Sequence, residues 1–210
     1  MFTKSVARRI FSRLVVPLLF LVFSSTAMAA EGPLKVIQAG TDQALKILRS
    51  AQSGEGPTLR QRRDEILNIV DDYFDFEEMA KRALGRPWKV QSARNQKEFV
   101  ALFKQLLFNT YVNRVETYTG SNEQVAYDEQ SVEGSYALVT TRVLGYRSKD
   151  VRVDYRLRQD RGEWKVYDVV VEGISLVNNY RQQFDSLLTN ESFDALLQRL
   201  REKVTAQEHD

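Results

Sequence analysis

The chain has 210 residues, with 30 Lys and Arg against 28 Asp and Glu, a single histidine and no cysteine. The lack of cysteine excludes disulfide staples, thiol nucleophiles and Cys-based zinc sites. No polybasic tract is present outside the N-terminus, which argues against nucleic acid as a partner.

The first residues have the composition of a cleavable export signal. Lys4, Arg8, Arg9 and Arg13 precede an apolar run from Leu14 to Phe23, and small residues follow from Ser24 to Ala30. Ala27-Met28-Ala29 fits the small-x-small rule and places cleavage after Ala29. The apolar run is about 10 residues long, whereas a spanning helix needs roughly 20. Arg8-Arg9-Ile10-Phe11 also resembles a twin-arginine signal, so Sec and twin-arginine export are both open. Cleavage leaves 181 residues with 26 basic and 28 acidic side chains. With no cysteine to lipidate, the mature chain is expected to be a free, soluble domain outside the inner membrane. A single core then supplies its stability.

The elements read as helices, then strands, then helices. Pro33 opens a first helix whose Leu34, Ile37, Leu45 and Leu48 share a face. Ser53-Gly54-Glu55-Gly56-Pro57 breaks the chain. A second helix starts near Thr58, and Asp71 to Asp75 interrupt it. A third runs from Phe76 to Leu84, with Gly85 as its C-cap. The longest begins near Asn95, where Asn95 and Glu98 have capping-box spacing. Its apolar residues run from Phe99 to Tyr118 in 3- and 4-residue steps, widened by Phe108 and Val112.

From Gly120 the period changes to two. Strands are expected at Val125–Tyr127, a short one, at Ala137–Val143, at Val151–Leu157, and at Trp164–Val171. In the third, Val151, Val153, Tyr155 and Leu157 alternate with Arg152, Asp154, Arg156 and Arg158, giving one apolar and one wet face. Helices at Ile174–Leu188 and Phe193–Val204 complete the fold, and 205–210 form a tail. This is an α+β arrangement with helices covering one face of a four-stranded antiparallel sheet. The helical part spans about 33–118, the sheet about 124–172 and the C-terminal helices about 174–204.

Reactive chemistry is sparse. His209, the second-last residue, is poorly placed for a Ser-His-Asp triad. No phosphate loop or dinucleotide fingerprint occurs. Asp168, mid-strand in an apolar stretch, is a candidate base, set against a role as a hydrogen-bonding or arginine-paired carboxylate. Asp154 and Glu172 read the same way. An apolar sheet face capped by an unusually apolar helix is a natural container for an apolar ligand.

Three blocks carry a family resemblance. They are Phe76-Glu77-Glu78-Met79-Ala80-Lys81-Arg82-Ala83-Leu84-Gly85-Arg86-Pro87-Trp88, the helix from Phe99 through Phe103 to Tyr111, and Trp164 to Val169 with Glu172-Gly173-Ile174-Ser175-Leu176 and Asn179-Tyr180-Arg181-x-x-Phe184. Together they resemble the MlaC family of toluene-tolerance auxiliary proteins, from about Leu34 to Leu200. The resemblance implies a periplasmic phospholipid carrier without catalytic residues. It also implies a curved sheet like that of nuclear transport factor 2, with the lipid pocket between sheet and helices. No cofactor is expected, only phospholipid as cargo. The partners it implies are the MCE-domain subunit of an inner-membrane ABC transporter and an outer-membrane lipoprotein and porin complex, with transient docking at both membranes and a monomeric carrier. The inward face then nominates Leu102, Phe103, Leu106, Leu107, Tyr111, Val139, Val143, Val153, Tyr155, Val169, Val171, Ile174, Val177 and Tyr180 for lipid. Arg147 and Lys149, in the Gly145–Asp150 turn, are candidates for the head group or a partner. The competing readings are a solid scaffold module and an enzyme acting on a hydrophobic small molecule.

Overall fold

The computed structural model describes residues 32–50, 57–116, 124–146 and 149–208. The export signal, the break at 53–56, Tyr118, Gly120, Arg147 and His209 lie outside the described residues.

Helix α1 spans Pro33–Ser50 and α2 spans Leu59–Tyr73. Thr58 closes a capping box with Gln61, so two otherwise orphan donors are satisfied at the start of α2. Asp71 and Asp72 do not interrupt α2 as the sequence pattern suggests. Asp71 accepts from Lys104 Nζ at 2.7 Å, which offsets a carboxylate at a helix C-terminus. The helix ends where Phe74 turns extended and bridges Val166. Asp75 is the hinge into α3 (Phe76–Leu84). Its backbone N–H donates to Val166 O at 2.8 Å, one side-chain oxygen caps Glu78 N at 2.9 Å, and the other accepts from Arg158 at 2.7 Å. Gly85 ends α3 with φ +67, as expected, and the Arg181 guanidinium lies 3.3 Å from where a Cβ would stand. A 3₁₀ turn at Arg86–Val90 leads to α4, Ala93–Glu116. The cap of α4 is Ser92, whose Oγ accepts from Asn95 N at 3.2 Å, rather than Asn95 itself. Glu98, expected in a capping box, pairs instead with Arg201.

The sheet is an antiparallel meander in the order β1 (Gln124–Glu133), β2 (Tyr136–Tyr146), β3 (Lys149–Asp160), β4 (Glu163–Val171) and β5 (Ile174–Ser175). Among the described residues it has five strands rather than four. Ile174 and Ser175 pair with Val171 and Val170 before helix α5 (Leu176–Leu188) begins. The helix starts late because Ser175 is its cap, its Oγ accepting from Asn178 N at 3.0 Å. Helix α6, Phe193–Glu208, runs beyond the expected end at Val204, and Gln207 donates to Thr110 Oγ1 at 3.1 Å.

A bulge at Tyr167 governs which residues of β4 face where. Leu157 pairs with Val166, but Arg156 pairs with Asp168. One extra residue in β4 thus switches its alternation. Val166 and then Val169 and Val171 join the apolar face of Val153, Tyr155 and Leu157. Asp168 and Val170 join the face of Asp154 and Arg156. That face is not wholly wet, because the start of α5 covers it: Val177 N–H donates to Asp168, which is 2 % exposed.

Two apolar clusters form. The larger joins α3, α4, α5 and α6 around Phe99, Phe103, Tyr180 and Phe184. Their ring centroids lie 5.2–5.8 Å apart, mostly edge to face, an arrangement that adds about 0.5–1.5 kcal/mol per pair beyond area burial. The smaller packs Ile37 of α1 against Ala137, Val139, Leu157, Trp164 and Val166 of the sheet.

Candidate functional site: an apolar cavity at the sheet edge

Between the two clusters lies an unfilled space of about 520 Å³. Helix α2 and the residue after it supply Ile66, Val70 and Phe74, and α3 supplies Phe76 and Met79. Leu107, Phe108, Tyr111 and Val112 form two adjacent i,i+4 rows on α4. The sheet adds Val169, Val171, Glu172 and Ile174, and α5 adds Leu176 and Asn179. Among the described residues, only Glu172, Asn179 and the phenol of Tyr111 bring side-chain polar atoms. A space walled this way is a poor site for water, which needs two to four polar partners, and a good one for hydrocarbon. Its size falls within the usual range of ligand pockets, about 300–1,000 Å³.

The cavity opens at an apolar rim. Tyr111 is 37 %, Val171 43 % and Ile174 68 % exposed. The rim is held from behind by Asp168, which accepts from Ser175 Oγ at 2.7 Å, Val177 N at 3.0 Å and Arg156 Nη1 at 3.0 Å. These bonds tie β5 and the first turn of α5 to β4. The candidate base is thus a structural tie, with its oxygens committed to three donors. Asp154 likewise pairs with Arg152 at 3.0 Å.

The buried phenols of Tyr127, Tyr155 and Tyr180 are held protonated rather than activated. Burial pushes Tyr155 up to about 12 and raises Tyr127 and Tyr180, because the charged form loses its hydration. Among the described residues, no group of His, Asp or Glu is placed to hold a metal ion. No described helix is long and apolar enough to cross a membrane.

A larger cleft of about 820 Å³ lies beyond the stacked pair Phe74 and Phe76, which line both spaces. Its other walls are charged and largely self-paired. Lys104 meets Asp71, Arg158 meets Asp75, and Lys81 lies 3.6 Å from Glu78. Wet, paired charges suit neither hydrocarbon nor a buried reaction.

The nominated residues divide. Leu107, Tyr111, Val169, Val171 and Ile174 line the cavity. Phe103, Leu106, Val177 and Tyr180 lie in the helical cluster, with Leu102 packed against it. Val139 and Tyr155 belong to the smaller cluster, while Val153 is buried and Val143 half-buried in the sheet. Lys149 is exposed at the start of β3. Ile66, Val70, Phe74, Phe76, Met79, Phe108, Val112 and Leu176 line the cavity, although the inward-face pattern does not nominate them. The i,i+4 pair Ile66 and Val70 is a visible signal, but nothing local says which helix face meets a space and which meets a neighbour.

With this geometry in place, comparisons with known proteins converge. The family model described as MlaC protein matches residues 38–202. The chain is 24% identical over 191 residues to the intermembrane phospholipid transport system binding protein MlaC of Haemophilus influenzae, covering 89% of this chain and 88% of that protein. It is 26% identical over 168 residues to the toluene tolerance protein ttg2D of Pseudomonas putida, covering 79% and 77%. Its fold matches that of a phospholipid-binding protein from Ralstonia solanacearum, solved in complex with a phospholipid. The TM-score is 0.75 at 23% identity, over 85% of this chain and 99% of the other. The chain therefore belongs to the MlaC protein family.

Proposed function

We propose that this protein is a periplasmic phospholipid carrier, moving lipid between an outer-membrane complex and the MCE-domain subunit of an inner-membrane ABC transporter, and so maintaining outer-membrane lipid asymmetry. The observation that carries the reading is the apolar cavity with an apolar rim, in a chain whose relatives are named for phospholipid binding and transport. The leader, once removed, would deliver it to the compartment between the membranes.

Energetics set the mode of action. Each CH₂ buried is worth about 0.8 kcal/mol relative to water, so exposing two chains of about 16 carbons would cost roughly 25 kcal/mol. Release into water is therefore closed, and the lipid must pass directly to an acceptor while both are docked. Against a bilayer the cavity is nearly neutral, so loading and unloading need little free energy. Nucleotide hydrolysis at the transporter then biases the direction. No residue performs covalent chemistry in this scheme.

Native mass spectrometry of the mature protein from periplasm, followed by organic extraction, tests it. A stoichiometric adduct of phospholipid mass is expected. A clean apo mass, with no lipid taken up from vesicles even beside its docking partners, would replace the carrier with a scaffold.

A further inference from the structure

Among the described residues, one charged side chain, Glu172, stands at the cavity mouth, and its sign is informative. Glu172 stands between Val171 and Ile174, the two most exposed apolar residues of the rim. It shares a two-residue turn with Gly173, and both have positive φ, 49° and 81°. Such turns favour Asn-Gly or Asp-Gly, and a glutamate there adopts a conformation that its Cβ resists. The Arg161-Gly162 hairpin turn has the same geometry, with φ 50° and 91°, so what distinguishes Glu172 is its place at the mouth.

Local structure explains half of the side chain. One oxygen, Oε1, accepts from Arg152 N–H at 2.7 Å, and Glu172 N–H returns a bond to Arg152 O at 3.0 Å. A neutral glutamine would accept the first bond equally well. The negative charge is left without a structural task. The Arg152 guanidinium is turned to Asp154, and its electrostatic neighbours are Asp154, Glu129 and Asp128. Among the described residues no cation pairs with Glu172, and none lines the cavity.

The obvious place for a lipid phosphate near the mouth is also taken. Helix N-termini attract anions through free N–H groups. In α5, Val177 N–H is bonded to Asp168 and Asn178 N–H to Ser175 Oγ. The chain's own carboxylate occupies the position a phosphate would seek.

We propose that Glu172 reads the lipid head group, pairing with the primary ammonium of an ethanolamine phospholipid and disfavouring heads of net negative charge. Acyl chains supply the affinity and Glu172 supplies the choice between heads. Asn179, exposed on the same rim, offers neutral hydrogen bonds to either head. The proposal rests on the carrier reading above.

The test loads the delipidated mature protein from vesicles of equimolar phosphatidylethanolamine and phosphatidylglycerol with matched acyl chains, then measures the bound ratio by extraction and mass spectrometry. Exposed charge pairs have modest strength, so the wild type should favour phosphatidylethanolamine about two- to five-fold. Glu172→Gln should load the two lipids without preference. Asp194→Asn, which removes the same charge from the exposed start of α6, should keep it. A wild type without preference, a Glu172→Gln protein that retains it, or an Asp194→Asn protein that loses it would each overturn the assignment. A wild type that takes up neither lipid would overturn the carrier reading itself.

Discussion

Helix α4 behaves differently along its length. Between Phe99 and Leu106 its apolar residues are closely packed: Phe99 and Phe103 have no exposed surface and meet the rings of Tyr180 and Phe184. From the next residue on, Leu107, Phe108, Tyr111 and Val112 face a space of about 520 Å³. The hydrophobicity of the two stretches is alike; their neighbours are not. Aromatic residues of α5 and Phe193, at the start of α6, interdigitate with the earlier stretch. The later stretch instead lines a space shared with Val169, Val171 and Ile174 of the sheet. An apolar surface is thus a core or a container according to what the rest of the chain brings to it.

Perturbing each stretch should separate the two roles. The largest effect is expected from Phe103→Ala in the filled half. Removing a buried aromatic costs about 3–5 kcal/mol, read as a shift in denaturant midpoint, while lipid bound per folded molecule stays unchanged. Asp168→Asn acts at the border, since it weakens the tie between β4, β5 and α5. The amide keeps a single acceptor oxygen, so either the bond to Val177 or those to Arg156 and Ser175 are lost along with the charge, which should destabilise by about 1–3 kcal/mol in chemical denaturation. The variant that still folds should also still bind lipid, which an enzyme using Asp168 as base would not parallel with retained turnover.

Val169→Trp tests the unfilled half. The new ring has room, so thermal stability should change by less than the roughly 1–3 kcal/mol usual for overpacking. Phospholipid uptake from vesicles should fall at least ten-fold, and unchanged uptake would place the cargo elsewhere. The smallest effect is a pH dependence at the boundary of the smaller cluster. The Tyr155 phenol keeps its proton up to about 12, whereas in the unfolded chain it ionises near 10. Stability linked to it is therefore fully present below pH 10 and is lost as pH rises toward 12. Tyr155→Phe should flatten that part of an alkaline unfolding profile, and an unaltered slope would assign the alkaline loss to other groups.

Much of the architecture was legible residue by residue. Gly85 as a cap, the alternation of Val153 and Tyr155 with Arg152 and Asp154, and the apolar band of α4 all follow from local rules. The errors fell where a non-local partner outweighed a local signal. Asp71 and Asp72 have the composition of a helix break, yet Lys104 from α4 supports them. Ile174 has a helical pattern around it, yet it pairs with Val171 because Ser175 caps the next helix.

The candidate site was less legible for a related reason. Period identified Leu102, Phe103, Leu106, Leu107 and Tyr111 as one apolar band, and period cannot divide that band into packed and open parts. Likewise the alternation of β4 does not announce the bulge at Tyr167 that carries Val169 and Val171 to the cavity and Asp168 to the far face.

By itself, then, the sequence determined the α+β class, the helical and strand periods, the scarcity of reactive side chains and the family. Those depend on composition and on neighbours within a turn or a strand pair. The tertiary structure alone decided where the space lies, that Asp168 serves as a tie and that Glu172 stands at the mouth. Each of these depends on residues far apart in the chain meeting, or failing to meet, in three dimensions, and a void has no residue of its own to mark it.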